Sequence, residues 1–254
     1  MGTELSEPWP EHPLLAETYD VLCAAGRWDL DFYLDLAAEL EAGSILDIGC
    51  GTGVFLVDAA ARGLRAVGVD PAAAVLDVAR SRPGGDTVEW ISGGPDRVPS
   101  DSIDLAVMMG HVAQYFVTDD EWAELLAEAR RCLVPGGHLS FETRNPSIDW
   151  SARWVRANTE GTHPHPRGGS FTSWTETRTV AGPDDSYTIT HQGNTILPDG
   201  QHLQVLEHLR FRNPDEVRAG LEEAGFTVET VWGDWDRSPF EPETSLELIV
   251  LARA

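Results

Sequence analysis

Residues 44–71 read S-I-L-D-I-G-C-G-T-G-V-F-L-V-D-A-A-A-R-G-L-R-A-V-G-V-D-P, and this stretch decides the fold. The apolar run 45–48 predicts a buried parallel strand, which breaks at the glycine-rich segment 49–53. A helical pattern then runs to Gly63, and a second short apolar run leads to Asp70. The order of strand, glycine loop, helix, strand and acid predicts half of a nucleotide-binding α/β unit.

The spacing of the glycine loop separates it from a dinucleotide-binding fingerprint. Its pattern is Asp47-x-Gly49-x-Gly51-x-Gly53, and Val54 stands where G-x-G-x-x-G needs a third glycine or alanine. A pyrophosphate favours a loop without negative charge, whereas a leading carboxylate suits a ligand that carries a cation such as an ammonium group. Because glycines have no Cβ, such a ligand can approach the backbone closely.

Asp70 stands where a carboxylate can accept hydrogen bonds from two ribose hydroxyls. A ligand with a ribose and an ammonium group but no phosphate is S-adenosylmethionine (SAM). The sequence L-D-I-G-C-G-T-G at 46–53, with the acid that follows, resembles motif I and the acidic loop of the class I SAM-dependent methyltransferases. The resemblance implies a Rossmann-like α/β fold with a seven-stranded, mostly parallel sheet whose last strand is antiparallel. It also implies SAM as the cofactor and S-adenosylhomocysteine as the product.

The resemblance assigns the cofactor contacts. Asp47 and the glycine loop would hold the methionine end of SAM, and Asp70 the ribose. Family members usually carry Gly-Asp after the third strand, with the aspartate on the adenine amino group, but Gly94 occupies that place here. Either Asp96 substitutes for it, or the backbone of Gly94 and Pro95 lines the ring. The predicted cofactor contacts are Asp47, Gly49, Cys50, Gly51, Gly53, Asp70, Pro71, Gly94, Pro95, Asp96 and Met109.

The composition restricts the partners. The 254 residues include 18 Lys and Arg against 42 Asp and Glu, a net charge of −24, which repels the phosphate backbones of nucleic acids. The first residues lack the basic start and apolar core of a signal peptide, and no apolar run approaches the ~18 residues that span a bilayer. Three scattered cysteines fit neither a disulfide framework nor a zinc site. We therefore expect a cytoplasmic protein without metal, membrane or nucleic-acid partner; the sequence does not fix its oligomeric state.

Four regions divide the chain. Residues 1–43 predict two helices that form a lid over the cofactor, as is common in this superfamily, and residues 44–146 predict the SAM-binding α/β core. Residues 147–212 lie outside the minimal fold, and three alternating runs joined by turns predict an antiparallel β insertion that caps the substrate end of the cleft. Within it, residues 159–169 are expected to form a loop. Residues 213–254 complete the core.

Three residues are candidates for catalysis. His111 follows the fourth core strand at its carboxyl end, where ligands bind in an open α/β sheet, and it would act as a base or contact the cofactor. The segment A-E-T-Y-D resembles one in small-molecule N-methyltransferases, in which a tyrosine near the N-terminus approaches the cofactor, and this favours Tyr19. His191, in the inserted sheet, is the third. Methyl transfer is an in-line displacement, so many family members need no indispensable acid or base.

The candidate substrate contacts are Tyr33, Arg144, Trp174, Trp235 and Arg237. Arg144 would bind a substrate carboxylate or form a surface ion pair. The resemblance implies methyl transfer to an N or O atom of a small molecule, and analogy favours an amino sugar or another secondary metabolite. The alternatives are a SAM-binding enzyme with other chemistry, a non-catalytic SAM-binding sensor and a protein methyltransferase.

Overall fold

The computed structural model describes residues 3–4, 12–23, 28–183 and 185–254. Within these residues the helices are α1 (Pro13–Cys23), α2 (Trp28–Glu39), α3 (Val54–Ala61), α4 (Ala73–Ser81), α5 (Asp119–Cys132), α6 (Trp150–Arg153), α7 (Arg156–Thr159) and α8 (Pro214–Glu223). The strands are β1 (Thr3–Glu4), β2 (Ser44–Ile48), β3 (Arg65–Asp70), β4 (Glu89–Ser92), β5 (Ile103–Met108), β6 (Leu133–Arg144), β7 (Gly161–Pro164), β8 (Ser170–Ala181), β9 (Tyr187–Ile196), β10 (His202–Phe211), β11 (Thr227–Trp232) and β12 (Glu247–Arg253).

The core sheet contains seven strands in the order β11-β12-β6-β5-β2-β3-β4. β12 is antiparallel to β6 and β11, while the other neighbours pair in parallel. Every residue of β2 is buried, because the strand lies in the middle of the sheet between two apolar clusters. This position explains the uninterrupted apolar run in the sequence. The predicted seven-stranded sheet with an antiparallel last strand is confirmed.

A second sheet, the cap, has the strand order β1-β10-β9-β8-β7. β7 to β10 pair in antiparallel fashion, which confirms the predicted insertion, and β1 joins β10 in parallel at one edge. The expectation of a loop over 159–169 is wrong at β7, which pairs with the start of β8. Pro164 cannot donate a backbone hydrogen bond, so it is tolerated because β7 is the other edge strand.

Helix α1 lies between the cap and the core. Leu15 packs against Leu203 and Val205 of the cap, while Ala16 packs against Val75 of α4. The sequence offers Gly26 as a stop for this helix, but that residue lies outside the described residues. None of the helices described above is long and apolar enough to cross a membrane.

Candidate active site

The loop after β2 is built from glycines that other residues cannot replace. Gly49, Gly51 and Gly53 have φ angles of 78°, 53° and 74°, in the left-handed region that side chains disfavour. A Cβ on Gly49 would lie 2.6 Å from Val112, and one on Gly53 would lie 2.2 Å from Trp90. Side chains therefore pack so closely against Gly49 and Gly53 that neither position has space for a Cβ.

Gly51 differs because a Cβ there would clash with nothing and would make only an ordinary van der Waals contact. The nearest atom to a Cβ placed on Gly51 is Cε1 of Tyr19, at 3.9 Å, and the Tyr19 hydroxyl lies 3.9 Å from a Cβ placed on Gly110. The Tyr19 ring of α1 therefore lies across a cleft between the segments that follow β2 and β5. This small cavity, of about 40 Å³, is also lined by Asp47 and Met109.

Asp70 accepts hydrogen bonds from the glycine loop and from the segment that follows β3. Its Oδ2 accepts from the backbone N–H of Gly51 at 2.9 Å, and its Oδ1 accepts from Ala72 at 2.8 Å. Each carboxylate oxygen can accept more than one hydrogen bond, so ribose hydroxyls can be added to this arrangement. A left-handed glycine loop with the buried carboxylate of Asp70 beside it fits the amino-acid and ribose parts of SAM. SAM, when bound, supplies a methyl group activated by its sulfonium charge.

In the predicted adenine region, Pro95 is buried whereas Asp96 is exposed. Pro95 is buried, and its carbonyl accepts from Arg131 at 2.9 Å and from the Cys132 thiol. Asp96 is exposed on a 3-10 turn, Pro95–Arg97. The segment is thus fixed through its backbone from α5, while the Asp96 side chain faces solvent.

His111 has an unusual backbone conformation, with φ 63° and ψ 29°. Its N–H donates to Oε1 of Glu142 at 2.8 Å, and the Tyr33 hydroxyl donates to Oε2 of the same carboxyl at 2.5 Å. Glu142 is 1% exposed, and burial raises its pKa and that of Tyr33. Two buried donors on one carboxylate therefore hold His111 in a strained conformation, of the kind that clusters at functional sites.

The His111 ring meets an acid from the last strand. Its Nε2 lies 2.9 Å from Oε2 of Glu247. Burial lowers the pKa of His111 to about 3 and raises the pKa of Glu247 to about 8. At neutral pH the two groups therefore share one proton as an uncharged pair, with the carboxyl as the donor.

Arg144 follows Glu142 on β6 and lies among aromatic rings. Its guanidinium carbon is 5.0 Å from the centroid of Trp154 and 5.5 Å from that of Trp150. Nη1 donates to Oε1 of Gln114 at 2.8 Å. Burial lowers the pKa of Arg144 from its usual value, while the surrounding glutamates raise it. An arginine stays charged under these conditions, so the site keeps a fixed cation.

The cap closes this region from above. The Tyr115 hydroxyl donates to Oε1 of Glu207 at 2.9 Å, and Nε2 of His191 lies 3.4 Å from Oε2 of the same carboxyl. Burial raises the pKa of Glu207 and lowers that of His191 to about 4. The Tyr115 ring is 46% exposed although its hydroxyl reaches the cap, so the ring borders the mouth of the cleft.

The structure separates the predicted residues into two groups. It brings Tyr19 to the glycine loop, and it gathers His111, Arg144 and His191 with the acidic cluster, which we define as Glu142, Glu207 and Glu247. Tyr33 is fully buried and reaches this region only through Glu142.

Three other predicted contacts lie elsewhere. Trp174 pairs with Asn194, whose side chain is on the cap face opposite to His191, because side chains alternate along a strand. Trp235 packs edge-on against Tyr33 behind the site. Arg237 donates to Glu39 at 2.6 Å. None of the three has a contact with His111 among the described residues.

Sequence reasoning missed Glu142 and Glu247 as site residues. Both stand as single acids inside apolar strand patterns, S-F-E-T and S-L-E-L-I-V-L. Because β12 is antiparallel, its first residue lies at the edge where the parallel strands end. A charge at that position in a buried strand was the available signal.

The comparisons with known proteins agree with this geometry. Residues 45–137 match the family model described as a methyltransferase domain. The cypemycin N-terminal methyltransferase of a Streptomyces species is 28% identical over 255 residues, which cover 98% of this chain and 100% of that protein. The biotin biosynthesis bifunctional protein BioHC of Cellvibrio japonicus is 32% identical over 151 residues, which cover 56% of this chain but only 28% of that protein.

Two solved structures share the fold over almost the whole chain. The CcbJ methyltransferase from Streptomyces caelestis has a TM-score of 0.75 at 19% identity and covers 98% of this chain and 99% of its own. The sugar N-methyltransferase KedS8 from a Streptoalloteichus species has a TM-score of 0.69 at 16% identity and covers 93% of each chain. The fold agrees with the methyltransferase-domain match and with the glycine loop and acid on which SAM fits. The chain therefore contains a methyltransferase domain over residues 45–137, within the fold that the class I SAM-dependent methyltransferases share, and SAM is its cofactor.

Proposed function

We propose that the protein transfers a methyl group from SAM to the nitrogen atom of a small-molecule amine. The observation that carries the proposal is the acidic cluster near Arg144 beneath the cap, in which Glu142 is buried and the side chains of Glu207 and Glu247 are 11% and 14% exposed. Burial raises the pKa of all three carboxyls, because no nearby cation fully compensates their charge. An ammonium ligand supplies the missing cation and forms charge-assisted hydrogen bonds, whereas a hydroxyl acceptor brings no charge.

The acidic cluster also provides a carboxylate that can accept the amine proton. An ammonium nitrogen has no free electron pair until one proton leaves. Without a ligand Glu247, with its pKa raised to about 8, is mostly protonated at neutral pH. The charge of a bound ammonium favours release of that proton to solvent, and the carboxylate that forms can then accept the amine proton. His111, with its pKa lowered to about 3, is a poor base and a good hydrogen-bond partner. We therefore assign the proton to an Oε atom of Glu247, and we assign to His111 the positioning of that carboxyl.

The names of two similar proteins support nitrogen as the acceptor. One is the cypemycin N-terminal methyltransferase, which aligns with this chain along its full length. The other is the sugar N-methyltransferase KedS8. The cytoplasm is the location that we propose, since Cys50 and Cys132 are both unpaired thiols, as is usual in a reducing compartment.

The test uses SAM with a deuterated methyl group and a panel of amines and alcohols of matched size. We expect labelled products in which the methyl carbon is bonded to nitrogen, as shown by carbon–nitrogen correlation in NMR spectra. Glu247→Gln should lower kcat by about 10²-fold or more, while Glu243→Gln, an exposed acid in the preceding loop, should not. Labelled methyl found only on oxygen would refute the proposal.

A further inference from the structure

We propose that the acceptor amine carries a carbonyl or carboxylate oxygen on the adjacent carbon, and that Arg144 binds this oxygen. The acceptor would then be an α-amino carbonyl compound, either a free amino acid or the first residue of a peptide. This inference rests on the proposed function, because it states which amines the same site accepts.

The first step is the set of donors that Arg144 leaves unused. A guanidinium has five N–H donors, and among the described residues Arg144 uses Nη1 for Gln114. It lies amid the acidic cluster, yet no carboxylate of the described residues is within 4.0 Å of it. Other arginines with little exposure do form such pairs, as Arg82 does with Asp20 and Arg210 with Glu216. A buried cation without a close anion is costly unless a ligand completes its hydrogen bonds.

The second step is that the guanidinium is held in one orientation. Trp150 and Trp154 contact it through their ring faces. Gln114 donates through Nε2 to the carbonyl of Arg210 at 3.4 Å, which directs its Oε1 to Arg144. A planar fork fixed in this way is suited to the lone pairs of a planar carbonyl or carboxylate.

The third step is the distance between the cation and the proposed proton acceptor. Arg144 and Glu247 are direct partners across the antiparallel pair β6–β12, so their Cβ atoms are about 4.5–5.5 Å apart. The amine nitrogen and the oxygen of an α-amino carbonyl group are separated by two carbon atoms and can reach both side chains at once. A plain amine would leave Arg144 without its partner, and a plain acid would be repelled by the acidic cluster.

The proton chemistry agrees with this choice. The pKa of Glu247, raised to about 8, is close to the ~7.7–8.0 of an α-amino group and well below the ~10.4 of an alkylamine such as lysine. A proton can therefore pass from an α-ammonium group to the ionised form of Glu247 more readily than from an alkylammonium group.

The experiment compares alaninamide with isopropylamine, in which a methyl group replaces the carboxamide. Methylation rates and Kd values, from tryptophan fluorescence with S-adenosylhomocysteine present, are measured for both amines. We expect wild type to prefer alaninamide by about tenfold or more, as a hydrogen bond to a charged group implies. Arg144→Gln should reduce the ratio of the Kd values to near one, while the difference between the pKa values of the two amines still affects the methylation rates. Arg153→Gln is the matched control, because Arg153 contacts the same Trp150 ring from an exposed position and should keep the ratio.

The outcomes separate the alternatives. If Arg144 only balances the charge of the glutamates, Arg144→Gln will weaken the binding of both amines equally. The ratio of their Kd values will then stay as in wild type, and the inference is wrong. Equal use of both amines by wild type also overturns it, while the proposed function survives; failure to methylate any amine overturns the proposed function itself. If Arg144→Gln does not fold, as judged by its melting temperature and SAM binding, the ratio in Arg144→Lys decides. Alanine and alanylalanine as further acceptors distinguish a free amino acid from a peptide N-terminus.

Discussion

His111 shows how single residues in this site depend on distant partners. A non-glycine residue at positive φ costs about 1–3 kcal/mol. The cost is offset by Glu142, which accepts from the His111 N–H and is itself held by Tyr33. The sequence pattern predicts that His111 follows the carboxyl end of β5. It does not predict the hydrogen bond between Tyr33 and Glu142, which are 109 residues apart. Local patterns contain no signal for such a pair.

The open face of the glycine loop gives a prediction at a single residue. Gly51→Ala should lower SAM affinity by at least about tenfold, or about 1.4 kcal/mol, because the new methyl enters the gap beneath Tyr19. Gly63→Ala is the matched control, since Gly63 also has positive φ (93°) but nothing within 4 Å. Both variants should lose about 1 kcal/mol of stability. Calorimetric titration with SAM checks the difference, and equal affinities in the two variants would contradict the assignment of the loop.

Glu247 gives a prediction for stability against pH. Its pKa is about 8 in the folded protein and 4.5 in the unfolded chain, so between these values the folded state holds a proton that the unfolded state releases. The stability of wild type therefore falls as pH rises through this window. Glutamine does not titrate, so Glu247→Gln should gain stability relative to wild type by up to about 1.4 kcal/mol per pH unit.

Denaturant unfolding at several pH values between 5 and 9 measures this difference. The expected curve rises up to about pH 8 and then becomes flat. A difference that does not change with pH between 5 and 8 would contradict the raised pKa of Glu247.

At the scale of elements, local signals predicted the helices and core strands well. Helix α5 begins at Asp119 because Thr118 and Glu121 form a capping box, a pattern that is readable from the sequence. Strand β7 was missed because prolines mask a strand that exists only through its pairing with β8. The short strand β1 depends in the same way on β10. Elements that need a partner strand are thus the ones that local patterns fail to predict.

Helix α1 gives the prediction at this scale. Asp20 bonds to the hydroxyl of Thr52 in the glycine loop and to Arg82 after α4, and this fixes α1 over the cleft. We expect Asp20→Asn to speed SAM dissociation by about fivefold to tenfold, because a partly buried ion pair worth about 1 kcal/mol is lost. Stopped-flow displacement measures the rate. Asp77→Asn, at an exposed i,i+3 pair on α4, should leave it unchanged; an effect as large as that of Asp20→Asn would refute the role of α1.

At the scale of the molecule, the sequence predicted the fold and the cofactor cleft but not the acidic cluster beneath the cap. The cofactor residues of the first two strands lie within one continuous stretch, 44–71, so their spacing is visible in the sequence. The acidic cluster combines residues of β6, β10 and β12, which only the folded chain brings together. Alternation along the cap strands left open which face is turned inward, and this misplaced Trp174.

The net charge of −24 gives a prediction for the whole molecule. Repulsion among surface acids destabilises the compact state, and salt screens it over a Debye length of about 10 Å at 0.1 M. The melting temperature should therefore rise by a few degrees between about 0.02 and 0.5 M NaCl. A scan in which it falls would mean that favourable ion pairs outweigh the repulsion.

The central claim is that the cleft formed by the glycine loop and Asp70 binds SAM. Isothermal titration of SAM into wild type, Asp70→Ala and the surface control Asp77→Ala tests it most directly. The account predicts binding to wild type and to the control, with Asp70→Ala weaker by about 10–100-fold, as expected for lost hydrogen bonds to a charged acceptor. Absence of binding to wild type, or an unchanged affinity in Asp70→Ala, would contradict it.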